Sequence, residues 1–156
     1  MSGVTTPSLA DVPVRSPLAL TRRWAAVLQP PVFDRRSLWL AWLGGDGRQS
    51  SVLVPVDDLP LRPDPRRLTG LLDIHRQVAG HVVGTDVHLA TALCRPGEAV
   101  ATADDEQWAA ALHEVLDDAL DGTWSLHLAA GGRVEPLVEA PAFFARVAAR
   151  LGDGPR

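Results

Sequence analysis

The side chains best suited to chemistry lie between Asp86 and Leu116. This stretch predicts a buried strand (Asp86–Leu93), a polar loop (Cys94–Ala103) and an amphipathic helix. The loop holds the thiol of Cys94 beside the guanidinium of Arg95. In mixed α/β chains, ligands usually bind at the loop that follows the C-terminal end of a central strand. We therefore place the candidate site in this loop.

Cys94 is the only cysteine, so neither an intrachain disulfide nor a cysteine-rich zinc site can form. A neighbouring guanidinium such as Arg95 lowers the pKa of a thiol, as a nucleophile requires. A nucleophilic cysteine also needs a base, and no histidine is close to it in sequence. The alternative, which we favour, is that Cys94 is a small buried residue of the hydrophobic core.

His88 and His127 occupy matching contexts, VHLA and LHLA, in the middle of two predicted strands. If those strands are neighbours, two imidazoles and a nearby carboxylate could bind a metal ion. The favoured interpretation is that each imidazole packs against apolar neighbours and makes its own hydrogen bond.

Three carboxylates, Asp104, Asp105 and Glu106, follow Thr102. They could hold a hard cation or act as a general base. We favour a helix start instead, with Thr102 as N-cap and negative charge at the positive end of the helix dipole.

The composition indicates one soluble domain. A chain of 156 residues can bury a core, and its net charge is −4 with scattered basic residues, which makes nucleic-acid binding unlikely. No apolar run is long enough to span a bilayer and the N-terminus does not read as a signal peptide, so we expect no membrane association and a cytoplasmic location. All basic side chains besides histidine are arginines, which is typical of a high-GC bacterial genome.

The elements that must position these residues follow the order α-β-β-α-β-α-β-β-α. We expect a flexible N-terminal tail (1–17), a single domain (18–151) and a C-terminal tail (152–156). The segment from Ser37 to Val56 predicts a hairpin around the Gly44-Gly45-Asp46-Gly47 turn. The fold class is α/β (α+β): a mixed, mostly antiparallel sheet flanked by helices.

From Ser37 to Val138 the chain resembles the JAB/MPN (JAMM) superfamily in its RadC-like form. In that family a strand ends in His-x-His-Pro, and Ser-x-x-Asp opens the next helix. Here Leu93-Cys94-Arg95-Pro96 and Thr102-Ala103-Asp104-Asp105 stand at those places, and Leu126-His127-Leu128-Ala129-Ala130-Gly131 is similar to a later strand. In the family the two histidines and the aspartate bind zinc, a glutamate activates the zinc-bound water, and the serine supports the transition state.

The resemblance implies a pseudoenzyme, because Leu93 and Arg95 replace both zinc-binding histidines and one carboxylate cannot hold catalytic zinc. We expect no cofactor and a groove lined by Cys94, Arg95, Thr102 and Asp105 that binds a protein partner or a small anionic ligand. The alternative is a hydrolase-type enzyme that uses Cys94 as nucleophile or a metal at His88 and His127. The oligomeric state stays open.

Overall fold

A five-stranded mixed sheet forms the centre of the molecule, and helices cover both of its faces. The computed structural model describes residues 12–81, 86–120 and 123–151. The strands are β1 (Ser37–Leu43), β2 (Gln49–Val56), β3 (His88–Cys94), β4 (Thr123–Ala130) and β5 (Arg133–Val138). The helices are α1 (Pro17–Val27), α2 (Pro65–Ala79), α3 (Ala103–Ala119) and α4 (Pro141–Arg150).

The strand order is β2-β1-β3-β4-β5, with β3 in the middle. It pairs in parallel with β4 and antiparallel with β1, and both outer pairs are antiparallel hairpins. The predicted α+β class and the predicted order of elements are confirmed. Every residue of β3 is buried, as expected of a strand covered on both faces.

Alternation of side chains along the strands separates two cores. Leu89 and Leu93 of β3 contribute to the core under α2 and α3. Ala90, Ala92 and Cys94 contribute to the other core, under α1 and α4. This second core combines small residues of β3 with large aromatic side chains from the helices.

Polar caps define the start of three helices. Ser16, Asp64 and Thr102 each accept a hydrogen bond from a backbone N–H of the following first turn, and the predicted cap Thr102 is thereby confirmed.

Packing begins before α1, within the segment that the sequence assigns to a flexible tail. Val14 is buried, and its N–H donates to the carbonyl of Gly47 at 2.7 Å. The rest of that predicted tail, 1–11, and the predicted C-terminal tail, 152–156, lie outside the described residues. Within the described ranges, no helix has the length and apolar character needed to cross a membrane.

Candidate functional site

Arg95 and Asp105 form a buried, bidentate ion pair where β3 ends and α3 begins. The Nε of Arg95 donates to Oδ1 and Oδ2 of Asp105 at 2.9 and 3.1 Å, and its Nη2 donates to Oδ2 at 2.6 Å. The guanidinium also donates hydrogen bonds to two backbone carbonyls, from Nη1 to that of Pro96 and from Nη2 to that of Val100. Arg95 is therefore committed to partners of its own chain.

Thr102 holds the same carboxylate through the helix start. The Asp105 N–H donates to Thr102 Oγ1, and Asp105 Oδ2 accepts from the Thr102 N–H, which completes a capping box. Burial alone would raise the pKa of Asp105, but the hydrogen bonds from Arg95 and Thr102 outweigh it and hold that pKa below its usual value. The carboxylate is ionised at neutral pH.

A second guanidinium, Arg36 at the start of β1, also faces Asp105. Its Nη2 lies 3.9 Å from Asp105 Oδ1, which is beyond hydrogen-bond distance. Both Nε and Nη2 of Arg36 are buried and have no hydrogen-bond partner among the described residues. Buried donors are normally satisfied, so this arginine requires an explanation.

The residues that the JAB/MPN resemblance compares with zinc ligands do not fit a zinc ion. Leu93 points into the α2/α3 core and has no lone pair to donate. Arg95 places a cation against Asp105, where a dication would need to bind. Across the described ranges, no group of three or more His, Cys, Asp or Glu side chains is placed to hold a metal ion.

Cys94 lies on the opposite face of the sheet from Arg95 and Asp105. The thiol is 0% exposed and belongs to the α1/α4 core. Burial raises the pKa of Cys94 to about 12, which the hydrogen bond with Ser37 only partly opposes. The alternative role as a nucleophile requires the contrary, an exposed thiol with a lowered pKa.

His88 and His127 lie on neighbouring strands, as the metal-binding alternative requires, and both are buried. In the β3–β4 register His88 lies opposite Thr123, whereas His127 lies opposite Ala92, four residues further along. His88 contacts the hydroxyls of Thr123 and Ser125 at 2.7 and 2.8 Å and stacks on Phe143 of α4.

Each imidazole thus has its own surroundings. His127 Nε2 lies 2.8 Å from Thr21 Oγ1 of α1, while its Nδ1 is buried without a partner in the described part of the chain. Burial lowers the pKa of His88 to about 3 and that of His127 to about 4, so both are neutral at pH 7.

The four predicted site residues therefore divide. Arg95, Thr102 and Asp105 come together, and Cys94 does not join them. Ligand binding by this set stays a prediction. As they stand, Cys94, Arg95 and Asp105 are enclosed, and only Thr102 is exposed.

An open cleft of about 390 Å³ lies beside this cluster, between the segment that leads into β1 and the segment that follows β2. We call it the Arg36 cleft. It is lined by Phe33, Asp34, Arg35, Arg36, Ser37, Trp39, Asp57 and Asp58. The Leu59 N–H donates to the Arg36 carbonyl at 3.1 Å and ties the two segments together.

No protein-family model, curated protein or solved structure matches this chain.

Arg36 could hardly be recognised from the sequence as a functional residue. In the sequence, Arg35 and Arg36 are two of many scattered basic residues and nothing distinguishes them. Its proximity to Asp105 depends on contacts between segments far apart in the chain, so no local spacing signals it.

Proposed function

We propose that this chain is a non-catalytic, metal-free, JAB/RadC-like module that binds a carboxylate of a protein partner at the Arg36 cleft. The observation that supports the proposal most directly is the guanidinium of Arg36, whose Nε and Nη2 are buried without a hydrogen-bond acceptor. The arginine proposed to bind the ligand is therefore Arg36 and not the predicted Arg95, whose guanidinium already has partners within the chain.

The charge balance around Asp105 favours an incoming anion. Two guanidiniums, Arg36 and Arg95, face this one carboxylate, and its hydrogen bonds come from Arg95 and Thr102. A second carboxylate would accept from the free edge of Arg36 in bidentate fashion, which is a strong and geometrically specific contact.

Access requires the Arg36 side chain to move, because its Nε and Nη2 are buried. Its side chain is 17% exposed and lines the cleft, so it already reaches solvent in part. The 3.9 Å approach to Asp105 is an ion pair without a hydrogen bond, so turning the guanidinium towards the cleft breaks no hydrogen bond. The cost of leaving two donors unsatisfied is removed when a ligand accepts from them.

Exposed apolar side chains at the same end of the sheet favour a protein partner. Leu61 lies in the segment whose carbonyls accept from Trp108 Nε1, and Val100 lies in the loop held by Arg95. Both side chains are more than half exposed, as is Val32 in the segment leading to the cleft. Apolar contacts around a central arginine are a common composition of protein interfaces.

The test is a titration followed by the arginine Nε–H signals in NMR spectra of the ¹⁵N-labelled protein. Sodium acetate supplies a carboxylate, and sodium phosphate at matched ionic strength distinguishes phosphate from carboxylate recognition. We expect a saturable shift of the Arg36 signal with acetate, and no shift of the Arg95 signal because that group is held by Asp105. Arg36→Gln lacks the Arg36 signal, so its effect is followed at the indole N–H of Trp39, which lines the same cleft. Acetate should no longer shift the Trp39 signal in Arg36→Gln and should still shift it in Arg62→Gln, an exposed arginine outside the cleft.

Three results would overturn the proposal. They are the absence of a saturable Arg36 shift in the wild type, an unchanged Trp39 indole shift with acetate in Arg36→Gln, and a response to phosphate alone. The proposal also states that the module is metal-free. Stoichiometric zinc in the purified protein would overturn that statement.

A further inference from the structure

The Arg36 cleft carries more negative than positive side chains. Against Arg35 and Arg36 stand Asp34, Asp57 and Asp58, all three of which are exposed. A ligand that offered only a carboxylate would approach these three aspartates as well as Arg36. The lining therefore calls for a cation on the ligand too.

The negative charge of this rim is largely unmatched. Asp34 and Asp57 form no ion pair with any residue in the described ranges. Asp58 meets Arg35 only at 4.0 Å, with side chains that are 75% and 82% exposed, so solvent screens the contact. Two to three carboxylates are thus available to an incoming cation.

Two aromatic side chains complete the cleft. Phe33 and Trp39 are half-buried in its wall and pack on the α1/α4 core. An ammonium or guanidinium is attracted to an aromatic face, and the aliphatic stem of Lys or Arg packs on the same surface. Aromatic faces next to carboxylates suit a basic side chain better than an apolar one.

We infer that the Arg36 cleft recognises a peptide segment that carries a basic side chain together with a carboxylate. The carboxylate binds Arg36, and the basic group lies against Phe33 and Trp39 within reach of the aspartate rim. The inference rests on the proposed function, which supplies the carboxylate contact, and it adds the chemistry of the neighbouring residue in the partner. The carboxylate can come from a chain end or from an acidic side chain.

Three probes that differ in one charge each test this inference: Nα-acetyl-lysine, Nα,Nε-diacetyl-lysine and Nα-acetyl-lysine amide. The first has both charges, the second only the carboxylate and the third only the ammonium. We expect the first to bind roughly tenfold more tightly than either of the others, by the Trp39 indole and Arg36 Nε–H signals in NMR titrations. Acetyl-glutamyl-lysine amide, whose carboxylate is a side chain, distinguishes that source from a chain end.

A charge-matched pair of variants isolates the aspartate rim. In the double variant Asp34→Asn, Asp57→Asn, the affinity for Nα-acetyl-lysine should fall to that for the diacetylated probe. The control Asp73→Asn, Asp118→Asn makes the same change of charge at exposed helix positions outside the cleft and should bind as the wild type does.

The outcomes separate the two ideas. Equal binding of Nα-acetyl-lysine and its diacetylated form, lost in Arg36→Gln, overturns the inference and leaves the proposed function standing. Failure of every lysine probe while acetate shifts Arg36 has the same meaning. Equal binding of the amide removes the need for a carboxylate and overturns both.

Discussion

Acidification should destabilise this fold between pH 6.5 and 4.5, and two of its buried imidazoles, those of His88 and His127, contribute to the effect. Burial, aided by the neighbouring His127, lowers the pKa of His88 to about 3, and burial lowers that of His127 to about 4. Of the charged groups that act on His88, Asp86 favours and Arg146 disfavours its protonation. In the unfolded chain both imidazoles titrate near pH 6.5.

Between these values the unfolded chain binds more protons than the folded one, so the free energy of unfolding falls as the pH falls. The stabilisation is fully present above about pH 6.5 and is lost towards the folded pKa values. Each imidazole contributes about 1.4 kcal/mol per pH unit, so two of them contribute about 5 kcal/mol between pH 6.5 and 4.5. That approaches the whole stability of a typical domain, about 5–15 kcal/mol.

The assay is urea denaturation followed by tryptophan fluorescence at pH 7.5, 6.5, 5.5 and 4.5. The slope should approach about 2.7 kcal/mol per pH unit in the wild type and about half of that in His127→Gln or His88→Gln. His113→Gln, at a half-exposed ring on α3, is the matched control because it removes no buried imidazole. An unfolding free energy that stays constant from pH 7.5 to 4.5, or a slope that both buried-site variants retain, would refute the reasoning.

The carboxylates Asp86 and Asp105 affect stability at lower pH than the two imidazoles do. Hydrogen bonds from Arg146, opposed by burial, and further contacts with Arg150 lower the pKa of Asp86 to about 2. The stability that Asp86 contributes is present above its unfolded pKa near 3.9 and is lost only below it. The same direction holds for Asp105.

Three further predictions concern stability at pH 7.5 and are checked by the same urea denaturation. Arg95→Ala should cost about 3–5 kcal/mol, because it leaves Asp105 buried and ionised without its main partner; a loss below 1 kcal/mol would contradict the structure. Thr102→Ala should cost only about 1 kcal/mol, as removal of an N-cap does, and a loss as large as that of Arg95→Ala would show another role for the hydroxyl. Gly70→Ala in α2 should raise the free energy of unfolding by about 0.5–1 kcal/mol, since its Cβ would meet nothing within 4 Å. Gly47→Ala should lower it, because its Cβ would lie 2.4 Å from the Val14 carbonyl oxygen and the residue has a φ of +83°. Equal effects of the two glycine variants would contradict the described backbone.

The fold could be predicted from local patterns because each element carries its own signal. Both faces of β1 are apolar, which is typical of a strand inside a sheet, and β1 pairs on both sides. Thr102 before three acidic residues marked the start of α3. Such signals depend on neighbours in sequence, so they survive without knowledge of the tertiary structure.

The site could be predicted only in part, because pairing across the fold decides it. Consecutive side chains of a strand point to opposite faces of the sheet, as Leu93 and Cys94 do. Cys94 and Arg95 are also consecutive, so they cannot line a single groove. The partner of Arg95 is ten residues away, and only the helix start brings Asp105 to it. The four-residue offset between His88 and His127 follows from the β3–β4 register, which no local pattern encodes.

The enclosed position of Cys94 also provides a reporter of unfolding within the molecule. The chain has one cysteine, and it ends the central strand, which has partners on both sides and a helix layer above the thiol. A thiol reagent therefore reaches Cys94 only when the helix layer above it separates from the sheet or the sheet itself opens. When reclosing is faster than modification, the ratio of labelling rates in the native and unfolded states gives the free energy of opening without denaturant. The residue that first drew notice as a nucleophile thus measures the stability of the fold that encloses it.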